Sequence, residues 1–313
     1  MRKRTTIVVL GLLVMVALAT AAGCQRGGGA GGGEGGAKIG LSISTLNNPF
    51  FVSMRSGAQQ AAKSQGVKLL VSDAQNDSAT QQDDVQNFVT QQVDAILVNP
   101  VDPKAIVPAI QAANQANIPV LCLDRGASGG KVETLIASNN VKGGEIAGQE
   151  MLKLVGSGSI AQLEGIPGTD PARDRGQGFQ QAINGQSAVK LVASQTANFD
   201  RAQGLNVTEN ILQANPDIKG IFAQNDEMAL GAVRALGSHA GSDVKVVGFD
   251  GIEDALKAIQ SGKMNATVAQ QPDKIGSLGV ENAMKVIDGK SVPKNIPVEV
   301  KLVTKDNVSQ FLK

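Results

Sequence analysis

From residue 38 almost to the end of the chain, short apolar runs alternate with stretches whose apolar residues recur every three or four positions. The first run, Ile39-Gly40-Leu41-Ser42-Ile43, is short and predicts a strand. Beyond it, Phe51, Met54, Ala58, Ala61 and Ala62 share one face at helical spacing. The turn between them ends in Asn47-Asn48-Pro49: Pro49 suits a first helical position, and Asn47 or Asn48 can cap the helix. The same alternation predicts strands at 67–71, 95–98, 120–123 and 134–137, with helices at 78–92 and 103–115. It restarts with a helix at 141–154, then strands at 160–163, 189–194, 220–223, 244–248 and 266–269, separated by helices at 173–183, 201–212, 227–236 and 255–260. A helix at 272–287 and a final strand near 298–303 close the pattern. Strands spaced by helices of this length mean βαβ units and mostly parallel sheets. The expected fold is α/β, with two doubly wound parallel-sheet lobes. No long linker separates the two runs, so the chain should pass between lobes several times, as a hinge. The expected lobes are 38–138 with 271–299, and 139–270 with 300–313.

Residues 1–37 break the alternation. Arg2, Lys3 and Arg4 precede an uncharged apolar run over 6–22, the arrangement of a signal peptide spanning 1–23. The run is short of a comfortable membrane span. It ends Ala21-Ala22-Gly23-Cys24, which resembles a bacterial lipobox, with Ala21 where Leu is usual. Cys24 is therefore the expected lipidation site; ordinary cleavage nearby, with Cys24 incidental, is the alternative. Residues 24–37 are mostly Gly and read as a flexible tether. They follow no strand and lack a Gly-Lys-Ser/Thr ending, so they make a poor phosphate loop. Removing 1–23 takes away three basic residues and no acidic ones. That leaves 26 Lys and Arg against 28 Asp and Glu, a balance of −2 that argues against a nucleic-acid partner.

In an open α/β sheet, ligands bind outside the carboxyl ends of the strands. Ser44, Asn48, Phe50 and Phe51 fall past the first predicted strand, Asp124 and Arg125 past the fourth, and Arg173 and Arg175 beyond the sixth. Later ends carry Phe199, Asn225, Asp250 and Gln270. Planar polar groups and aromatic rings are what a small polyhydroxylated ligand needs. Each hydroxyl both donates and accepts, so Asp, Asn, Gln and Arg can take adjacent hydroxyls in pairs. The C–H faces of a sugar ring fit against aromatic faces. Taken singly, each residue has a plainer role. Asp124-Arg125 could be a surface ion pair, Asn225-Asp226 a helix cap, Asp250-Gly251 a turn, and the Phe residues core. The chain has eight Phe and no Trp or Tyr, and three of the eight fall in this set. Its single His239 lies in a polar loop, and Cys122 sits in an apolar run as a small hydrophobe. A His-based triad, a Cys-His pair or a zinc site has almost no material. Neither an enzyme, a cofactor nor a metal is expected.

The order and spacing of these motifs resemble the periplasmic ribose-binding proteins, the sugar-binding components of ABC importers. The resemblance runs from 38 to 305. It rests on Ser44-Thr45-Leu46-Asn47-Asn48-Pro49-Phe50-Phe51, Asn114-Gln115-Ala116-Asn117-Ile118-Pro119 and Leu123-Asp124-Arg125 in the first half. The second half adds Arg175-Gly176, Gly178-Phe179, Ala223-Gln224-Asn225-Asp226-Glu227-Met228 and Val247-Gly248-Phe249-Asp250. It implies a type I periplasmic-binding-protein-like fold that closes over one sugar, D-ribose, and presents it to a membrane permease. The protein is expected to be a monomer, exported to the periplasm or the outer face of the cell membrane. Its lipid anchor at Cys24 rests on the lipobox-like end, which with the Gly-rich tether and the tail past Thr304 departs from the family pattern. The sugar-contacting residues it implies are Ser44, Asn48, Phe50, Phe51, Asp124, Arg125, Arg175, Phe199, Asn225, Asp250 and Gln270. Phe50, Phe51 and Phe199 would sandwich the ring, with Arg173 a neighbour. The alternative is the same fold binding another small monosaccharide or a sugar-like signal. A repressor's effector domain would need a helix-turn-helix where this chain has its export signal. An enzyme would need a nucleophile–base pair or a Gly-x-Gly-x-x-Gly loop.

Overall fold

A computed structural model describes residues 36–312; the signal, lipobox and most of the tether lie outside the described residues. The first half runs β1 (Lys38–Ile43), α1 (Pro49–Ser64), β2 (Lys68–Asp73), α2 (Ser78–Thr90), β3 (Ala95–Val98), α3 (Val107–Gln115), β4 (Val120–Leu123) and β5 (Leu135–Ser138). Then come α4 (Asn140–Val155), β6 (Gly158–Glu164), α5 (Asp170–Ile183), β7 (Val189–Thr196), α6 (Arg201–Ala214) and β8 (Ile218–Ala223). The last part is α7 (Asp226–Leu236), β9 (Lys245–Asp250), α8 (Glu253–Gln260), β10 (Ala266–Ala269), α9 (Pro272–Ile287), β11 (Asn295–Val298) and β12 (Lys301–Thr304).

The strands are near-continuously apolar because both faces of each sheet are covered. In β3, Ala95 and Leu97 face a core shared with α1 and α9, while Ile96 and Val98 face one shared with α2 and α3. In β8, Ile221 and Ala223 face α6, α7 and α8, while Phe222 faces α4 and α5 and stacks on Phe179 with centroids 4.4 Å apart. The sheet orders are β2-β1-β3-β4-β5-β11 and β7-β6-β8-β9-β10-β12, the same doubly wound order twice. All pairings are parallel except that of β10 with β12. In each sheet the order reverses beside the first strand, so the crevice where ligands collect opens at the carboxyl ends of β1 and β3, and of β6 and β8.

The chain passes between sheets three times: after β5, after β10, and between β11 and β12. The last passage corrects the expectation of one closing strand near 298–303. Two four-residue strands stand there, one in each sheet, with Glu299 and Val300 between them. β11 tolerates Pro297 because it is an edge strand, where a missing N–H costs no ladder bond. Helix α3 starts at Val107 rather than 103. Asp102 Oδ1 accepts from Lys104 N and Ala105 N, both at 2.7 Å, and that turn precedes the helix. Asn48 is the cap of α1, accepting from Phe50 N at 2.9 Å, and Pro49 opens the helix.

Helices α4 and α5 pack closely because a Cβ at Gly178 would run into the Val141 carbonyl, and one at Gly144 into that of Arg175. This contact brings Arg175 on α5 against Asn140 at the start of α4.

Candidate ligand-binding site

The carboxyl ends of both sheets face one cavity of about 140 Å³, the order of volume that admits a single six-membered ring. Ten of the eleven residues expected at the site line it: Asn48, Phe50, Phe51, Asp124 and Arg125 from one side, and Arg175, Phe199, Asn225, Asp250 and Gln270 from the other. Ser44 is not in the wall. It is fully buried behind it, where its Oγ donates to Asn99 Oδ1 at 2.6 Å.

Four charges dominate the cavity. Arg125 Nε lies 3.8 Å from Asp124 Oδ2, and Arg175 Nη1 lies 3.7 Å from Asp250 Oδ1. These are not surface pairs: Asp124, Arg125, Arg175 and Asp250 are 3%, 4%, 3% and 6% exposed. Each pair is too long for a good hydrogen bond, so each partner turns elsewhere. Arg125 Nη1 donates to Pro100 O at 3.2 Å. Arg175 Nε donates to Asn140 Oδ1 at 2.9 Å and its Nη1 to Gln224 O at 2.7 Å. Gln270 Nε2 donates to Asp250 Oδ1 at 2.7 Å. Asp124 Oδ1, Arg125 Nε and Gln270 Oε1 are buried with no protein partner. Three residues that line the cavity thus carry buried donors or acceptors that no protein group meets.

Burial pushes the Asp124 carboxyl above its ordinary range, against the pull of Arg125 and Arg175. It pushes Asp250 well above that range, against Arg175. Burial likewise lowers both guanidiniums, with Asp124 and Asp250 respectively pulling them back. The wall carries Arg125, Arg175 and Arg201 against Asp124, Asp200, Glu227 and Asp250, close to balance, which favours a neutral ligand rich in hydroxyls over an ion.

The rings hold the arginines as well as the wall. Phe50 and Phe51 meet edge to face, with centroids 5.2 Å apart at 84°. Arg125 lies 5.2 Å from the Phe51 centroid and 5.8 Å from that of Phe199. Arg175 lies 5.7 Å from Phe199 and 3.9 Å from Phe249. Phe199 thus touches an arginine from each side of the cleft. It also packs against the core beneath β6 and β8, so core and wall are both true of it. Asn225 likewise caps α7, accepting from Met228 N at 2.9 Å, while its Nδ2 donates to Phe199 O at 3.2 Å. Among the described residues, Gly126 N donates across the cleft to Asp170 Oδ2 at 2.9 Å.

Among the described residues, eight that are not Gly have positive φ, and five of these line the cavity: Asn76 (59°), Asp124 (63°), Asn198 (52°), Phe199 (58°) and Asp250 (130°). Such backbone is costly for a side-chain-bearing residue and gathers at functional sites.

Several residues of the site escape a reading of the sequence. Asn76 and Asn198 line the cavity beside expected members. Asn99, fully buried, is the hub behind the first half. It accepts from Ser44 and donates to Leu123 O at 3.0 Å and Asp124 Oδ2 at 3.5 Å. Its position at the end of the third strand was the available signal. Arg173 stays outside the cavity, paired with Asp170 and Asp174 at 2.8 Å each. Cys122 is fully buried and its thiol is pushed up to about 12 by burial. His239 is exposed and pairs with Asp243 at 2.6 Å.

Two α/β lobes whose strand ends wall one small polar and aromatic cavity define a solute-binding protein. The chain belongs to the periplasmic binding protein family: the pattern of the periplasmic binding protein domain matches residues 39–291. It is 50% identical over 267 residues to the ribose import binding protein RbsB of Bacillus subtilis, covering 85% of this chain and 87% of that one. It is 52% identical over 268 residues to the protein of the same name from Escherichia coli, covering 85% and 90%. A solved solute-binding protein of an ABC transporter from Actinobacillus succinogenes, with bound D-allose, superposes with a TM-score of 0.82 at 36% identity, covering 88% of this chain and 99% of that one.

Proposed function

We infer that the protein is the ribose-binding component of an ABC importer, taking the sugar by closure of its two lobes. The observation that carries this reading is that Asp124, Arg125 and Gln270, each with an unpartnered buried polar atom, line one ring-sized space walled by phenylalanines. About 50% identity to ribose import binding proteins supports ribose as the ligand.

Closure follows from the energetics. Micromolar affinity needs about −8 kcal/mol, or roughly −0.8 kcal/mol for each of a pentose's ten heavy atoms. That efficiency requires nearly every hydroxyl paired and water excluded, which neither lobe achieves alone. Bodies of 38–138 with 271–299, and of 139–270 with 300–313, would move about the three crossings. The sugar drives closure only by binding the closed form more tightly, and the closed form then presents a joint surface to the permease. A sugar lacking a hydroxyl leaves a buried group of the wall unpaired, at about 1–3 kcal/mol, which is the source of selectivity. No bond is made or broken in this scheme. Export by residues 1–23, and anchoring by lipid at Cys24, place the protein outside the cytoplasmic membrane in the same reading. Mass analysis of the isolated protein for a lipid on Cys24 tests the anchor.

Thermal unfolding against a panel of aldoses and ketoses tests the ligand. Ribose should raise the midpoint in a concentration-dependent way, because it binds only the folded state. A shift with another monosaccharide alone would keep the mechanism and reassign the ligand; the Actinobacillus succinogenes protein, 36% identical, holds D-allose. No shift with any sugar would overturn the proposal.

A further inference from the structure

We propose that Asp226, which does not line the cavity, is the positioning residue that presents Asp250 to the sugar, by gripping the two backbone amides that follow it. The inference rests on the sugar-binding reading above. Asp226 is fully buried at the first position of α7. Its Oδ2 accepts from Gly251 N at 2.7 Å and Ile252 N at 3.0 Å, and its Oδ1 from Thr267 Oγ1, also fully buried, at 2.7 Å. Two successive amides on one oxygen fix the direction in which the chain leaves β9.

That direction matters because Asp250 sits at φ 130°, a conformation a side-chain-bearing residue does not hold unaided. On its other flank, Gln270 N donates to Asp250 O at 2.9 Å, and Gln270 Nε2 to its carboxylate. Gln270 thus holds Asp250 itself, and Asp226 holds the two residues that follow it. Gly248 leaves room for it, since a Cβ there would run into Asp226 Oδ1. The task needs an acceptor of the right reach, not a charge. Burial already pushes this carboxyl up to about 7. An Asn can take both amides on its oxygen and donate its NH2 to Thr267 Oγ1.

Calorimetric titration with ribose, alongside ligand-free unfolding midpoints, tests the proposal on wild type, Asp226→Ala, Asp226→Asn and Thr267→Val. Asp226→Ala should bind about tenfold or more weakly, and Asp226→Asn within about threefold of wild type. Thr267→Val, which spares both amide bonds, should lower the midpoint yet keep affinity within about threefold. A purely structural role would move midpoints and leave affinity alone. Wild-type affinity in Asp226→Ala would overturn the proposal, as would equal weakening in Asp226→Asn or Thr267→Val. Absence of ribose binding by wild type would overturn the functional reading, and this inference with it. Should Asp226→Ala fail to fold, amide hydrogen exchange in the wild type decides. Gly251 and Ile252 should be protected before ribose is added, and protection arising only with ribose would overturn a pre-set brace.

Discussion

The two lobes meet the cavity with the same chemistry, an Arg–Asp pair at 3.8 Å in one and 3.7 Å in the other, but build it differently. In the first lobe the pair is two neighbours in sequence, Asp124 and Arg125, on one turn past β4. Asn99 steadies the acid and the Pro100 carbonyl the base. In the second lobe the pair is assembled from α5 and β9. Its arginine is held by Asn140 from α4 and by the Gln224 carbonyl, and its acid by Gln270, with Asp226 behind. A pair made within one turn needs little else in the fold to form it. A pair made between elements is also part of what holds those elements together.

The sharpest separation should come from removing each arginine. Arg175→Ala should abolish measurable ribose binding, a loss of about a hundredfold or more, and lower the ligand-free midpoint. It strands the buried Asp250 and the acceptors on Asn140 and Gln224 at once. Arg125→Ala should weaken binding by at least about tenfold while the ligand-free fold survives: it leaves the buried Asp124 unpaired, as Arg175→Ala leaves Asp250, but gives up one protein hydrogen bond against two. Calorimetry and unfolding together read both. If Arg125→Ala destabilises the ligand-free protein as much as Arg175→Ala, the contrast between the lobes is wrong. Unchanged affinity in Arg125→Ala removes that residue from the site.

The pH dependence of ligand-free stability should divide in the same way. Asp124, Asp226 and Asp250 are all raised by burial above 3.8. A carboxyl raised in the folded state keeps a proton that the unfolded chain releases. Its contribution is full below about 4 and is lost as pH rises through the folded value, which for Asp226 is about 7. The midpoint without sugar should therefore fall as pH rises from about 4 to 7. Asp226→Asn and Asp250→Asn should flatten that fall more than Asp124→Asn. A midpoint that rises over this window in wild type, with the slope unchanged in Asp226→Asn, would contradict the assignment.

Strand ends were the legible part of this molecule. Period and turn chemistry locate them, the doubly wound order brings them to one crevice, and ten of the twelve residues read at or beyond them line the cavity, Ser44 and Arg173 being the exceptions; the family resemblance is what set Arg173 apart as a neighbour. What escaped was the layer behind. Asn99 reads as strand punctuation and Asp226 as the first residue of a capped helix, and both descriptions are correct locally. Their reach to Ser44 and Asp124, or to Gly251, Ile252 and Thr267, depends on contacts 25 to 55 residues away in sequence, which no local pattern encodes. The closing strand failed for a related reason. Apolar periodicity continues across Glu299 and Val300, and nothing in it records that the chain has changed sheets.

The smallest effect should come from the bond to a side chain that crosses the cleft. Gly126 N donates across the cleft to Asp170 Oδ2, and a Cβ at Gly126 would come within 2.6 Å of that oxygen. The bond exists only when the lobes are together, so it adds to the closed form and nothing to either lobe alone. A hydrogen bond to a charged acceptor contributes about 1.5–3 kcal/mol at most, and less at a half-exposed site. Asp170→Ala should therefore weaken ribose binding by a few-fold to about tenfold, by lowering the population of the closed form. Asp170→Asn, which keeps an oxygen, should lose less. Neither should shift the midpoint without sugar by more than a degree or two. The exposed pair of Arg173 with Asp170 gives the control: Arg173→Ala should change affinity by less than about twofold, because such pairs are worth little. If Asp170→Ala lowers the ligand-free midpoint as much as it lowers affinity, the bond serves the second lobe's own fold. The two halves of the site would then be joined by the sugar and the rings alone.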